Sequence, residues 1–186
     1  MTRGAVSDRP AEMRLNARHL LFVYGTLKRG YTNWQRYLGV AESHQAAHYL
    51  GSAVTLDTFP MVVRPADWPG SSTRAPVLMD QPGTGSTICG EVFRVDDRCL
   101  EAMDILEGVK SGMYFKRTLQ VRMLGDDDEA QPPAKRGKAG ADGEEWLCGQ
   151  TLSCTAYFFP ASADLLRLPV RRTPLVPPQR SGAAPA

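Results

Sequence analysis

No stretch of this chain approaches the ~18 consecutive apolar residues that a membrane-spanning helix requires, and its first residues lack the apolar middle region of a secretory signal. A cytoplasmic protein without a membrane partner is the expectation. Charge of one sign is missing too. Twenty-two Lys and Arg face 20 Asp and Glu, a formal net charge of +2, which leaves no electrostatic footprint for a nucleic-acid partner. Histidine is scarce, with only His19, His44 and His48. The last two stand four residues apart, but the run from Gln45 to Leu50 reads as a strand, where that spacing is too long to chelate, so no metal is expected. Cys89, Cys99, Cys148 and Cys154 have no C-x-x-C spacing and sit among apolar neighbours, which reads as reduced, mostly buried thiols. Neither Gly25-Thr26-Leu27-Lys28 nor Pro82-Gly83-Thr84-Gly85-Ser86 completes the G-x-x-x-x-G-K-[ST] framework of a nucleotide-binding loop. No cofactor is expected. Without a heptad seam, a monomer is the default.

What is present fits one domain over 18–168, between a flexible leader at 1–17 and a Pro/Arg/Ala-rich tail at 169–186. Leu20 to Tyr24 is a short apolar strand ended by Gly25, and Asn33 can cap a short helix from Trp34 to Leu38. Strands follow over Ala46 to Val63, broken at Asp57 to Pro60, then over Ala75 to Met79 and Ile88 to Val95. Tyr114 to Leu124 alternates apolar with polar residues and should have one wet face. The segment 125–145, acidic and then basic with almost nothing apolar, reads as a disordered insertion. Trp146 to Phe159 resumes as a strand, and Leu165, Leu166 and Leu168 can anchor the start of the tail. About six strands and two short helices without regular βα alternation give an α+β fold. Its sheet should be mixed or mostly antiparallel and able to close into a small β-barrel flanked by short helices.

The most informative residue is Glu107. The segment from Asp96 to Gly108 reads as one helix, with Asp96 as N-cap and Gly108 as a left-handed C-cap. At roughly 100° per residue, Cys99, Leu100, Met103 and Leu106 share one face, and Glu107 falls between Leu100 and Met103. A carboxylate turned toward a core loses hydration, and at the last turn it meets the negative end of the helix dipole. Both favour the neutral acid, and a carboxyl with a raised pKa suits a general base working near neutral pH. The bland reading is a frayed helix end reaching solvent. Glu91 competes for the base role, because it shares a strand face with Cys89, Phe93 and Val95, but it could equally pair with Arg117 or Arg94. Asp104 flanks the apolar face and reads as a solvated or capping partner. Tyr114 can line a pocket, support Glu107 or simply pack. Tyr24-Gly25-Thr26-Leu27 leaves a strand at a glycine and can gather several N–H groups into an anion-binding nest, or be an ordinary turn.

Taken in order, Phe22-Val23-Tyr24-Gly25-Thr26-Leu27-Lys28-Arg29-Gly30, Phe59-Pro60-Met61-Val62-Val63, Gly90-Glu91-Val92-Phe93, Met103-Asp104-Ile105-Leu106-Glu107-Gly108 and Tyr114-Phe115-Lys116-Arg117 resemble the gamma-glutamylcyclotransferase-like superfamily, and within it the gamma-glutamylamine cyclotransferase branch. The resemblance covers roughly Leu20 to Phe159, leaving out the insertion. It implies a small mixed β-barrel and an enzyme that cyclises a γ-glutamyl amide to 5-oxoproline, releasing the amine. It also implies that Tyr24, Gly25, Thr26 and Leu27 hold the γ-glutamyl group, with Tyr114 at the pocket, and that Glu107 is the catalytic acid/base. The partner would be a small γ-glutamyl substrate such as γ-glutamyl-ε-lysine. Alternatives of the same chemistry are a γ-glutamyl amino acid or glutathione as substrate; one of another class is a non-catalytic module that binds a small metabolite.

Overall fold

From Leu21 to Val23 both faces of the first strand are buried, which is why the sequence there is an unbroken apolar run. In β1 (Ala17–Val23), Phe22 turns one way with Tyr24 just beyond, and Leu21 and Val23 turn the other. Each face enters a different core. The computed structural model describes residues 17–67, 74–125, 149–161, 165 and 167–168. The expected leader but for Ala17, the expected insertion but for Gly125 and the whole of the expected tail at 169–186 lie outside these residues.

The remaining elements are α1 (Thr32–Arg36), α2 (Leu38–Ser43), β2 (Ala47–Thr55), β3 (Met61–Arg64), β4 (Ala75–Leu78), β5 (Cys89–Asp96), α3 (Asp97–Leu106), β6 (Phe115–Met123) and β7 (Thr151–Phe158). A single 3-10 turn spans Val109–Ser111. Five strands form a closed barrel in the order β1-β5-β2-β6-β7, and β3 and β4 make a separate two-stranded hairpin. Every barrel pairing is antiparallel except the closure, where β1 runs parallel to β7 at Leu21↔Thr155. The sheet is therefore mixed, and the α+β barrel expected from the sequence is the fold observed.

All five strands feed one core: Phe22, Val92, Ala53, Val121, Ala156 and Phe158 meet inside the barrel. The second core, with Leu21, Val23, Phe93, Val95 and Tyr157, lies between the barrel's outer face and Leu38, Cys99 and Met103 of the helices. The β3–β4 hairpin divides between them, with Met61 and Leu78 joining the first, Val62 and Val77 the second. It is tied to the barrel where Phe159 N–H donates to the Leu78 carbonyl (2.8 Å). Leu165 is fully buried in the second core, as an anchor for the tail should be. β6 has the wet face its alternation indicated, exposing Lys116, Thr118 and Gln120 while Leu119, Val121 and Met123 are buried.

Four local readings need correction. Asn33 does not cap α1; Tyr31 holds the N-cap position, and Asn33 sits inside the helix with its side chain engaged elsewhere. α2 was not anticipated, because Leu38-Gly39-Val40-Ala41-Glu42-Ser43 combines a glycine with a β-branched residue, both weak helix formers, and buries only Leu38. Cys89 is exposed rather than buried, while Cys99 and Cys154 are buried; all three are free thiols. β7 begins at Thr151, and the residues from Trp146 to Cys148 assigned to that strand lie outside the described ones.

Gly90, opposite Ala53 in β5, is required by close approach. A methyl group there would overlap the Phe22 ring and the Val23 carbonyl, neither of which has room to retreat inside the barrel. Gly90→Ala should therefore destabilise the fold by about 2 kcal/mol, the usual cost of overpacking a filled core, and chemical denaturation of the variant would measure it. An unchanged denaturation midpoint would show that the barrel interior relaxes more freely than its packing indicates.

Candidate active site

The barrel's register brings two distant segments together. β1 ends with Val23 opposite Glu91, close to the start of β5. From Glu91 the chain runs five residues, about 17 Å at strand rise, to Asp96. There it reverses into α3, which packs against β1 and β5. Ten helical residues return about 15 Å, so the end of α3 comes back beside Tyr24. Asp96 makes the reversal by accepting a hydrogen bond from Cys99 N–H (2.7 Å), and Gly108, at φ 63°, takes the left-handed conformation that stops the helix. Glu107 holds the C-cap position between them.

A cavity of about 220 Å³ opens at this meeting point. Tyr24, Gly25, Thr26, Leu27, Glu107 and Tyr114, the six residues singled out from the sequence, all line it. Burial raises the Glu107 carboxyl to about 7, partly opposed by the Arg64 guanidinium. Burial also raises the phenols of Tyr114 and Tyr24, and the nearby Glu107 carboxylate adds to the effect on both. Tyr24 donates its hydroxyl to the Tyr157 carbonyl (2.7 Å), so it is the orientation of its ring, not its acidity, that shapes the cavity wall. Tyr114 packs edge-on against Phe159 at 5.1 Å between ring centres.

The Tyr24–Leu27 loop is held from behind. Lys28 N–H donates to the Gly25 carbonyl (3.1 Å) and Trp34 N–H to the Thr26 carbonyl (3.2 Å). Asn33 Nδ2 donates to Thr26 Oγ1 (2.9 Å), which is where the side chain read as a cap has gone. Glu91 also serves this loop. It accepts from Arg29 N–H (2.8 Å), and its carboxylate lies 3.7 Å from Arg29 Nε, whose guanidinium stacks on the Tyr49 ring. The partners expected for Glu91 were Arg117 or Arg94; Arg117 instead forms an ion pair with Asp80, and it is Arg29 that meets Glu91. Burial raises the Glu91 carboxyl while Arg29 and Lys28 lower it. Glu91 does not line the cavity, so it is placed to brace the loop rather than to exchange protons with a ligand.

Asp104, one turn before Glu107, is neither free in solvent nor a cap. It accepts from Tyr157 Oη (2.7 Å) and from Lys116 Nζ (2.7 Å). Tyr157 lines the cavity, so this carboxylate fixes an aromatic wall beside Glu107. Arg64 and Tyr157 are among the lining residues that sequence reasoning did not assign to the site. Arg64 follows Val62-Val63, where alternation alone could not distinguish a solvent-facing arginine from the buried one observed, and Tyr157 follows Thr151, Ser153 and Thr155 on the polar face of its strand, where alternation indicates exposure rather than the burial observed.

A buried carboxyl that titrates near neutrality can take a proton and give it back. A glycine-containing loop can present backbone groups to a ligand, and Tyr24 to Leu27 line the same cavity as Glu107, with Tyr114 and Tyr157 beside them. Among the described residues, no group of three or more His, Cys, Asp or Glu side chains comes together to hold a metal, and no helix is long and apolar enough to cross a membrane.

Comparison with known proteins gives this arrangement a context. The chain is 38% identical over 104 residues to a gamma-glutamylaminecyclotransferase of Rattus norvegicus, a match spanning 56% of this chain and 64% of the relative. It is 34% identical over 117 residues to the gamma-glutamylaminecyclotransferase of Homo sapiens, spanning 62% of this chain and 71% of that one. Among solved structures, it resembles an AIG2-like protein of Mus musculus with a TM-score of 0.61 and 29% identity, covering 83% of this chain and 87% of the other. The family model described as gamma-glutamyl cyclotransferase, AIG2-like, matches residues 21–171, and the chain belongs to that family.

Proposed function

We propose that this chain is a γ-glutamylamine cyclotransferase, acting on γ-glutamyl-ε-lysine or a similar γ-glutamyl amide, with Glu107 as its acid/base. The observation that carries the reading is the Glu107 carboxyl, poised near neutrality at a cavity whose opposite wall is the Tyr24–Leu27 loop. An α-ammonium group, with an ordinary pKa of about 7.7 to 8.0, is no nucleophile until it loses a proton. Glu107 takes that proton, and the freed nitrogen attacks the γ-carbonyl carbon of the same molecule. A new C–N bond closes the five-membered ring, and the old amide C–N bond breaks. Two protons leave the attacking nitrogen and two reach the departing one through Glu107, which ends the cycle as it began.

Because the attack is intramolecular, the protein's main task is to hold the chain folded with nitrogen about 3 to 3.5 Å from carbon. Tyr24, Tyr114 and Tyr157 supply walls for that purpose. N–H groups of the Gly25–Leu27 loop stabilise the charge that develops on the carbonyl oxygen. Leu106 and Met113 give the cavity an apolar stretch, which suits the aliphatic stem of a lysine-type amine and supports a γ-glutamylamine over glutathione. The free thiols of Cys89, Cys99 and Cys154 support a reducing, cytoplasmic setting.

Purified protein supplied with γ-glutamyl-ε-lysine, γ-glutamyl-alanine and glutathione in parallel should release 5-oxoproline fastest from the isopeptide, read by mass spectrometry. Preference for γ-glutamyl-alanine or glutathione would reassign the leaving group, and no product from folded protein would favour a binding module. Glu107→Gln should lower kcat/KM by about 10²- to 10⁴-fold, the typical contribution of a positioned general base, with the fold intact by circular dichroism. In the wild type, kcat/KM should rise with pH and level off above about pH 7, because only the ionised Glu107 accepts the proton. A limb near pH 4.5 would assign the base role to an ordinary exposed carboxylate.

The same shift has a consequence for stability. A carboxyl whose folded pKa of about 7 exceeds its ordinary 4.5 contributes stability that is fully present below about pH 4.5 and lost as pH rises through about 7. Glu107→Gln stays neutral throughout. Its thermal midpoint should match the wild type at pH 4.5 and exceed it at pH 8, by an amount corresponding to about 3 kcal/mol. Equal midpoints at both pH values would show that Glu107 ionises without cost.

A further inference from the structure

Three tyrosines line the active-site cavity, and two of them have their hydroxyls committed within the protein. Tyr24 donates to the Tyr157 carbonyl and Tyr157 to the Asp104 carboxylate, each at 2.7 Å. Tyr114 differs. It is 7% exposed, with its ring packed edge-on against Phe159, and among the described residues no acceptor takes its hydroxyl proton. The turn before it sets its place. Gly108 (φ 63°) and Gly112 (φ 74°), both left-handed, bracket the 3-10 turn at Val109–Ser111, and Met113 N–H donates back to the Gly108 carbonyl (3.1 Å). The chain thus doubles back after Glu107 and delivers the next residue, Tyr114, to the same cavity. Glu107 is near enough for its charge to raise the Tyr114 phenol, as burial does more strongly, yet it accepts no hydrogen bond from it. The phenol therefore stays protonated and available as a donor.

A buried hydroxyl without an acceptor is costly, and a phenylalanine would fill the same space without that cost. On the cyclotransferase reading above, on which this inference rests, the substrate supplies the acceptor. Glu107 serves the α-nitrogen, and that nitrogen attacks the γ-carbon, so the oxygen on the γ-carbon comes to lie near Glu107 and hence near the Tyr114 phenol. We infer that Tyr114 is a catalytic residue whose hydroxyl donates a hydrogen bond to the γ-carbonyl oxygen, beside the N–H groups of the Gly25–Leu27 loop. The phenol keeps its proton throughout. Its hydrogen bond strengthens as the new C–N bond forms and negative charge collects on the oxygen, and weakens again as the old C–N bond breaks and the carbonyl returns. A contact that is strongest in the transition state lowers the barrier more than it tightens substrate binding. The oxygen is then met from two separate elements, the loop that ends β1 and the residue that precedes β6.

Tyr114→Phe keeps the ring and removes only the oxygen. It should lower kcat for γ-glutamyl-ε-lysine by about 10²-fold or more, the loss typical of one missing oxyanion donor. KM should rise by about 5-fold at most, the size of one neutral hydrogen bond. Because the hydroxyl bonds nothing in the protein, the variant's thermal midpoint should equal or exceed that of the wild type, whereas Tyr157→Phe, which loses its bond to Asp104, should melt lower. An unchanged kcat, an effect on KM alone, or a fall in midpoint as large as that of Tyr157→Phe would overturn the assignment, and the cyclotransferase reading would stand if the wild type is active. Calorimetry gives a readout without turnover. It compares 5-oxoproline, whose ring carbonyl is the former γ-carbonyl, with cyclopentanecarboxylate, which has no ring carbonyl. Tyr114→Phe should weaken 5-oxoproline by about 5-fold and leave cyclopentanecarboxylate unchanged. That result with a wild type that turns over no γ-glutamyl amide would uphold the contact while the reaction assigned above fails. Equal weakening of both ligands, weakening of neither, or a wild type that does not prefer 5-oxoproline would reject the contact.

Discussion

The antiparallel register between β1 and β5 is the constraint on which the active site depends. With Val23 set opposite Glu91, one strand delivers the Tyr24–Leu27 loop to a given end of the barrel. The other strand must leave from the far end and come back by helix. α3 is as long as that return requires. Inserting or deleting a residue in β5 would reverse its alternation, and adding one to α3 would rotate Glu107 by about 100°, away from the cavity. The proximity of loop and carboxyl is thus a property of lengths and register, not of any direct bond between them.

Around that meeting point the polar groups divide into two kinds. Glu91, Asp104 and Lys116, outside the cavity, and Asn33 at its wall are paired with protein groups at hydrogen-bonding distance and fix the loop and the helix. Glu107, which lines the cavity, is a carboxyl whose ionised form its burial disfavours. Folding alone would select against that arrangement, since a neutral side chain of similar shape would be more stable in the same place. The firm outer layer is what holds the buried carboxyl in that place.

The legible parts of the sequence were those set by local rules. Glu107 could be found because ten residues of helix report their own facing, and the caps at Asp96 and Gly108 marked both ends. β6 showed its wet face for the same reason. What stayed hidden depended on partners distant along the chain. Glu91 was correctly placed among apolar neighbours, but which arginine it met was decided by the loop after β1, 62 residues away. Asp104 found Tyr157 across 53 residues. Arg64 sits on a four-residue strand of a hairpin outside the barrel, where nothing in the neighbouring residues distinguishes a buried cation from a solvated one.

The pairing of β6 with β7 has a practical corollary. Phe115 meets Phe158 at the end near the cavity, whereas Arg122 meets Thr151 at the other, some seven strand residues or about 23 Å away. There the ladder is closed by reciprocal hydrogen bonds, Met123 N–H to the Gln150 carbonyl and Gly149 N–H to the Met123 carbonyl. The described chain at Gly125 and Gly149 is therefore clamped at the end of the β6–β7 ladder remote from the cavity, so strain at those two residues is met by the ladder before it reaches Phe115 and Phe158.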